Sequence, residues 1–171
     1  MTSRAGYGST VARPFLFLDV DGPLIPFGGS DHPRFPPDPG PAGHPLLARL
    51  DPAHGTRPAA LPCDLVWATT WGADANAVLC PRLGLPPLPV VDWPDAPDPD
   101  EGHWKTRPLV MWAAGRPFAW LDDEISSADR AWVAAHHPGP ALLHRVDPRV
   151  GLAPADFTSL AGWFGRVTTT S

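Results

Sequence analysis

The sequence predicts an α/β fold: a three-layer sandwich with a mostly parallel central sheet, helices on both faces and no large cap domain. Three observations predict it. Short apolar runs alternate with helix-length segments along most of the chain, as they do in parallel-sheet proteins. The runs are apolar on successive residues, as in "FLFL" at 15–18 and "FAWL" at 118–121, which marks strands covered on both faces. And 171 residues, 43% of them hydrophobic, suit one core better than two.

Residues 1–13 are polar and predict a frayed tail, leaving a single domain over 14–167. Phe15–Leu18 is too short for a helix and ends at Gly-Pro punctuation, so it reads as the first strand. A Pro/Gly-rich flap follows over about 24–45, densest from Gly28 to Pro45, where missing amide donors prevent regular structure. "HPLLARL" (44–50) has the spacing of a short helix, and "CDLVWATTW" (63–71) reads as the second strand. A helix is expected from Gly72 to Gly84, a third strand at 88–93, an acidic loop at 94–102 and a helix at 105–114. A fourth strand at 116–123, a helix at 127–137 with an Asp- or Ser-type cap, a fifth strand at 140–147 and a last helix at about 154–165 complete the alternation.

Composition excludes several classes. Eight Trp and 43% hydrophobic residues exclude a disordered chain, although 25 Pro is a high share and points to long loops. A net charge of −5 provides no basic stripe for bulk nucleic-acid binding. Cys63 and Cys80 form neither a disulfide framework nor a metal-binding spacing, no apolar stretch approaches a membrane span, and the first residues lack the apolar segment of a secretory signal. A reduced, soluble, cytoplasmic protein is expected.

In a parallel sheet, ligands bind outside the carboxyl ends of the strands. There the sequence places Asp19 and Asp21 after the first strand, Thr69 and Thr70 after the second, and Asp122 and Asp123 after the fourth, with Lys105 opening the preceding helix. Carboxylates gathered at one edge repel one another unless a cation neutralises them. All-oxygen ligation favours a hard ion, and few protein ligands favour Mg²⁺ over a Ca²⁺ cage. A calcium loop fits poorly: with Asp19 as position 1, Gly22 stands at position 4 instead of 6, and a strand precedes it. A receiver domain needs its acceptor Asp before the Thr and its Lys after, whereas here an acidic pair follows the Lys.

The order Asp-x-Asp, Thr, Lys, Asp-Asp resembles the four motifs of the haloacid dehalogenase (HAD) superfamily, in particular its phosphohydrolases. "FLFLDVDGPL" looks like the first motif, "LVWATT" the second, Lys105 in "HWKTRP" the third and "FAWLDDE" the fourth, so the resemblance spans residues 15 to about 146. Pro23 stands where that family more often has Thr or Val. The resemblance implies a Rossmann-like fold in which Asp19 is the nucleophile and Asp21 the general acid and base. Thr69, or Thr70 if the strand ends later, and Lys105 would hold the phosphoryl oxygens. Asp19, Asp122 and the backbone carbonyl of Asp21 would serve Mg²⁺, with Asp123 supporting them. Dehalogenation would leave Asp21 without a role; a non-catalytic binding module and a phosphotransferase are the alternatives.

Residues 22–63 are too proline-rich, and 70–104 too short, to hold a cap. An open site implies that a large phosphorylated substrate or a second copy of the chain completes it. A phosphate on a protein, a nucleic-acid end or a nucleotide is the expected class, and Trp71 or Trp104 would offer a stacking face to a base. Core packing is the alternative reading of the Trp residues, and the seven histidines receive no chemical role.

Overall fold

The computed structural model describes residues 12–35, 45–94 and 103–169. Its elements are β1 (Phe15–Leu18), a 3₁₀ turn (Pro45–Arg49), α1 (Ala53–Ala59), β2 (Asp64–Trp67), a π-helical turn (Ala75–Leu79) running into α2 (Cys80–Leu83), α3 (Thr106–Ala113), β3 (Phe118–Asp122), α4 (Ser127–His136), β4 (Ala141–Arg145) and α5 (Pro154–Thr169). The four strands form one sheet in the order β2-β1-β3-β4, every pair parallel.

The continuous apolar runs are explained by two cores, one on each face. Leu16, Leu18, Trp67, Ala119 and Leu121 pack with residues of the 3₁₀ turn, α2 and α5. Their sequence neighbours Phe15, Phe17, Val66, Phe118 and Trp120 pack with Leu109 and Ala113 of α3 and Val133 of α4. This is the expected three-layer α/β arrangement without a large cap. Trp67 and Trp120 are fully buried on opposite faces; truncating either to Ala would cost about 3–5 kcal/mol.

Some local expectations are corrected. The segment 88–93 forms no strand: it pairs with the sheet through one isolated bridge, Val90 to Trp67, while Val91 packs into the core. Pro86, Pro87 and Pro89 remove the amides a ladder needs, and Leu88 is instead held at both its N–H and C=O by the Asn76 side chain (2.8 and 2.8 Å). The second strand ends at Trp67, the segment at 44–50 is a 3₁₀ turn, and the helix expected from Gly72 starts as a π turn. α1 was not expected from its sequence, "AHGTRPA". It exists because it packs on α2 so closely that a Cβ at Gly55 would overlap the Leu83 carbonyl. The expected N-terminal tail and the acidic loop lie largely outside the described residues, as does half of the denser part of the flap.

Candidate active site

After β1 the chain crosses to β2 through elements on one face, whereas after β3 it reaches β4 through α4 on the other. β1 and β3 are neighbours, so their carboxyl ends flank a crevice from which the connections diverge. Asp19 and Asp122 stand there. Asp19 continues the ladder, its N–H donating to Leu121 C=O at 3.1 Å, and its Oδ1 accepts from Val20 N–H at 2.9 Å. Asp122 Oδ1 accepts from Glu124 N–H at 2.9 Å. Each carboxylate turns its other oxygen to Lys105, whose Nζ lies 3.0 Å from Asp19 Oδ2 and 2.8 Å from Asp122 Oδ2.

All three side chains are buried, so their charges interact strongly. Burial first, with Asp122 adding to it and Lys105 opposing, pushes the Asp19 carboxyl up to about 8. For Lys105, burial alone would lower the pKa, but Asp19 and Asp122 outweigh it and hold the ammonium above its ordinary value. Asp123 is also raised, by burial and then by Asp122. One ammonium therefore stands among several carboxylates, and the cluster is short of positive charge. Asp19, Asp122 and Asp123 each offer an oxygen, all within 4.8 Å of one another, a set suited to a hard divalent cation.

Asp21 is placed by a tight turn in which Gly22 N–H donates to Ile25 C=O and Leu24 N–H to Val20 C=O. Gly22 has φ +94°, and a Cβ there would come within 2.7 Å of Asp123 Cγ, so only glycine lets the turn lie against the end of β3. The Asp21 carboxylate stands apart from the Asp19–Asp122–Asp123 group, with Oδ2 accepting from Trp71 Nε1–H at 3.1 Å. Ala68 N–H still pairs with Leu18 C=O, which carries Thr69 to the same end of the sheet. Thr69 is buried and its Oγ1 accepts from Trp71 N–H at 3.2 Å, leaving its own proton to donate; Thr70 is exposed. Of the two expected stacking faces, Trp71 is thus tied to Asp21. Trp104 packs edge-to-face on Trp93 at 4.9 Å, with Lys105 Nζ 5.6 Å from its ring.

No family model, curated protein or solved structure matches the chain.

Three residues at the site have no counterpart in the sequence reading. His103 accepts Lys105 N–H on Nδ1 at 3.2 Å, which places its proton on Nε2, where it donates to Glu124 at 2.9 Å. His103, Asp122 and Glu124 form a second group with metal-like spacing, but a protonated Nε2 makes His103 a donor here and not a ligand. Asp129, buried in the first turn of α4, clamps the segment that carries Lys105. Its Oδ1 takes His103 N–H and Thr106 Oγ1–H, both at 2.8 Å, and its Oδ2 takes Ser126 N–H and Oγ–H at 2.8 and 2.6 Å. The signal for this was Ser126-x-x-Asp129, a capping box one turn beyond the acidic pair. Nothing in the local sequence shows that Asp129 also reaches back across α3.

Proposed function

We propose that the protein is a Mg²⁺-dependent phosphohydrolase of the HAD type that works through an aspartyl-phosphate on Asp19. The observation that carries this reading is the Lys105 ammonium bridging Asp19 and Asp122 at the switch point, with Asp21 held to one side by Trp71. Lys105 can grip the oxygens of a phosphoryl group where Asp19 attacks, and Thr69 can donate its hydroxyl to the same group. Attack by the Asp19 carboxylate on phosphorus would expel the alcohol, and Asp21 would give that leaving oxygen its proton. Asp21 would then take a proton from the water that hydrolyses the acyl-phosphate, splitting one displacement into two. Trp71 keeps the Asp21 carboxylate out of the carboxylate group at β1 and β3, as an acid-base role requires.

The donor set fits a divalent cation held by Asp19, Asp122 and Asp123. When bound, the cation supplies the positive charge that keeps Asp19 ionised and offsets charge on the phosphoryl oxygens. Among the described residues no helix is long and apolar enough to cross a membrane. Cys63 and Cys80 are both free and buried, which supports activity in a reducing, cytoplasmic compartment.

The test is hydrolysis of p-nitrophenyl phosphate, nucleotides and 3′- and 5′-phosphorylated oligonucleotides with Mg²⁺. Asp19→Asn should abolish turnover, Asp21→Asn should reduce it about 10²–10⁴-fold, and a chelator should stop it. Equal hydrolysis by wild type and Asp19→Asn would refute the assignment.

A further inference from the structure

The end of β4 carries a cation that the reaction above does not use. Arg145 is the last residue of that strand and the register partner of Asp122. It is exposed, and its Nε–H donates to the Asp123 carbonyl at 2.9 Å, which anchors the guanidinium beside the site. Among the described residues nothing else hydrogen-bonds or ion-pairs with it, so both Nη groups are left for a ligand. Neighbouring Arg149 differs, because Asp147 takes its Nε and Nη2, both at 3.1 Å.

Arg145 forms one wall of a cleft of about 510 Å³ that runs along residues 145–149. The chain leaving Asp21 is hydrogen-bonded to this segment and to the residues after it: Leu152 N–H donates to Pro23 C=O at 2.8 Å and Phe27 N–H to Pro148 C=O at 2.7 Å. Phe27 is 41% exposed, unusual for a large aromatic. The cleft opens along the segment that leaves the end of β4, with Asp147 and Arg149 also on its wall.

From these features, and resting on the phosphohydrolase reading, we infer that Arg145 binds a second phosphoryl group of the substrate. The substrate class is then a nucleoside bisphosphate or the phosphorylated end of a nucleic-acid strand. A guanidinium fork with free Nη groups matches an oxyanion's geometry. Spacing is compatible with the class: adjacent strands lie about 4.8 Å apart, so the backbones of Asp19 and Arg145, two strands apart, are separated by about 10 Å. The Arg145 guanidinium turns back from there to the Asp123 carbonyl, within the reach of two phosphates on one nucleoside or on successive nucleotides. Phe27, whose N–H is bonded to Pro148, offers an exposed apolar face beside this segment.

The test compares kcat/KM for adenosine 3′,5′-bisphosphate, a 3′-phosphorylated dinucleotide and adenosine monophosphate in wild type, Arg145→Ala and Arg145→Lys. Wild type should prefer the substrates with two phosphates, the bisphosphate and the dinucleotide differing according to which source the cleft fits. The preference ratio should fall about tenfold in Arg145→Ala, the loss of one charge-assisted contact, through KM, and Arg145→Lys should restore part of it. A purely structural role for Arg145 would lower all three substrates together and leave the ratio unchanged, which would overturn the inference. So would equal kcat/KM for all three in wild type. If no substrate is turned over, the phosphohydrolase reading fails separately, and calorimetric titration with adenosine 3′,5′-bisphosphate decides the subsite: equal Kd for wild type and Arg145→Ala would refute it.

Discussion

Asp129→Ala tests whether one buried carboxylate outside the reacting group sets the position of Lys105. Asp129 accepts four hydrogen bonds, two closing the capping box of α4 and two gripping His103 and Thr106 on either side of Lys105. Losing the reciprocal bond of the capping box, from Ser126 N–H to Asp129, costs about 1 kcal/mol. Leaving the buried Thr106 hydroxyl without its acceptor costs about 1–3 kcal/mol more, for a total of about 2–4 kcal/mol. In a domain of this size that lowers Tm by about 5–15 °C. The contribution also has a pH signature. Burial would raise the Asp129 pKa, but the Ser126 side-chain and backbone hydrogen bonds, then those from His103 and Thr106, outweigh it and hold it below 3.8. A folded-state pKa below the unfolded value means that this stabilisation is fully present above about pH 4 and is lost as pH falls through the lower folded value. Thermal melts by circular dichroism at pH 7 should therefore separate Asp129→Ala from wild type, and the gap should narrow below pH 4. Turnover of p-nitrophenyl phosphate should fall at temperatures where the variant is still folded, because Lys105 is no longer held. A variant that melts within a degree of wild type would refute the reasoning.

Trp71→Phe keeps an aromatic ring but removes the N–H that holds Asp21. kcat should fall about tenfold for an alkyl phosphate and much less for p-nitrophenyl phosphate, whose leaving group needs little protonation; equal losses would contradict a role through Asp21. Gly22→Ala should cost at least about 1–2 kcal/mol, since its φ of +94° disfavours any side chain and the new methyl group would press on Asp123. Chemical denaturation measures it, and an unchanged midpoint would show that the turn does not need glycine. Burial pushes the Cys63 thiol up to about 12, so it should resist a thiol reagent at pH 8 in the folded protein and react once guanidinium unfolds it.

Where the chain repeats a simple physical pattern, the sequence was a good guide. β1 and β3 are legible because every residue of "FLFL" and "FAWL" is apolar, and both faces of the sheet are covered. The carboxylates and Lys105 converge because strand ends in a parallel sheet share one edge, so order along the chain sufficed to bring Asp19, Lys105 and Asp122 together. The segment 88–93 misled because its apolar content suggests a strand while its prolines and the Asn76 side chain decide its hydrogen bonding. α1 escaped notice because the "AHGTRPA" segment has no helical apolar stripe, and its stability comes from close packing on α2. His103 and Asp129 were silent for a different reason. Their roles depend on contacts from one helix start to another, 26 residues apart in the case of His103 and Asp129, which no local pattern encodes.

The proposed reaction requires Asp19 to become covalently phosphorylated. Rapid quench of the enzyme with Mg²⁺ and a reactive phosphomonoester, followed by intact-protein and peptide mass spectrometry, tests it most directly. A transient adduct of one phosphoryl group is expected on the peptide containing Asp19, accumulating in Asp21→Asn because its hydrolysis lacks a base, and absent in Asp19→Asn. Turnover with no phosphoenzyme at any time point, or an adduct on another residue, would contradict it.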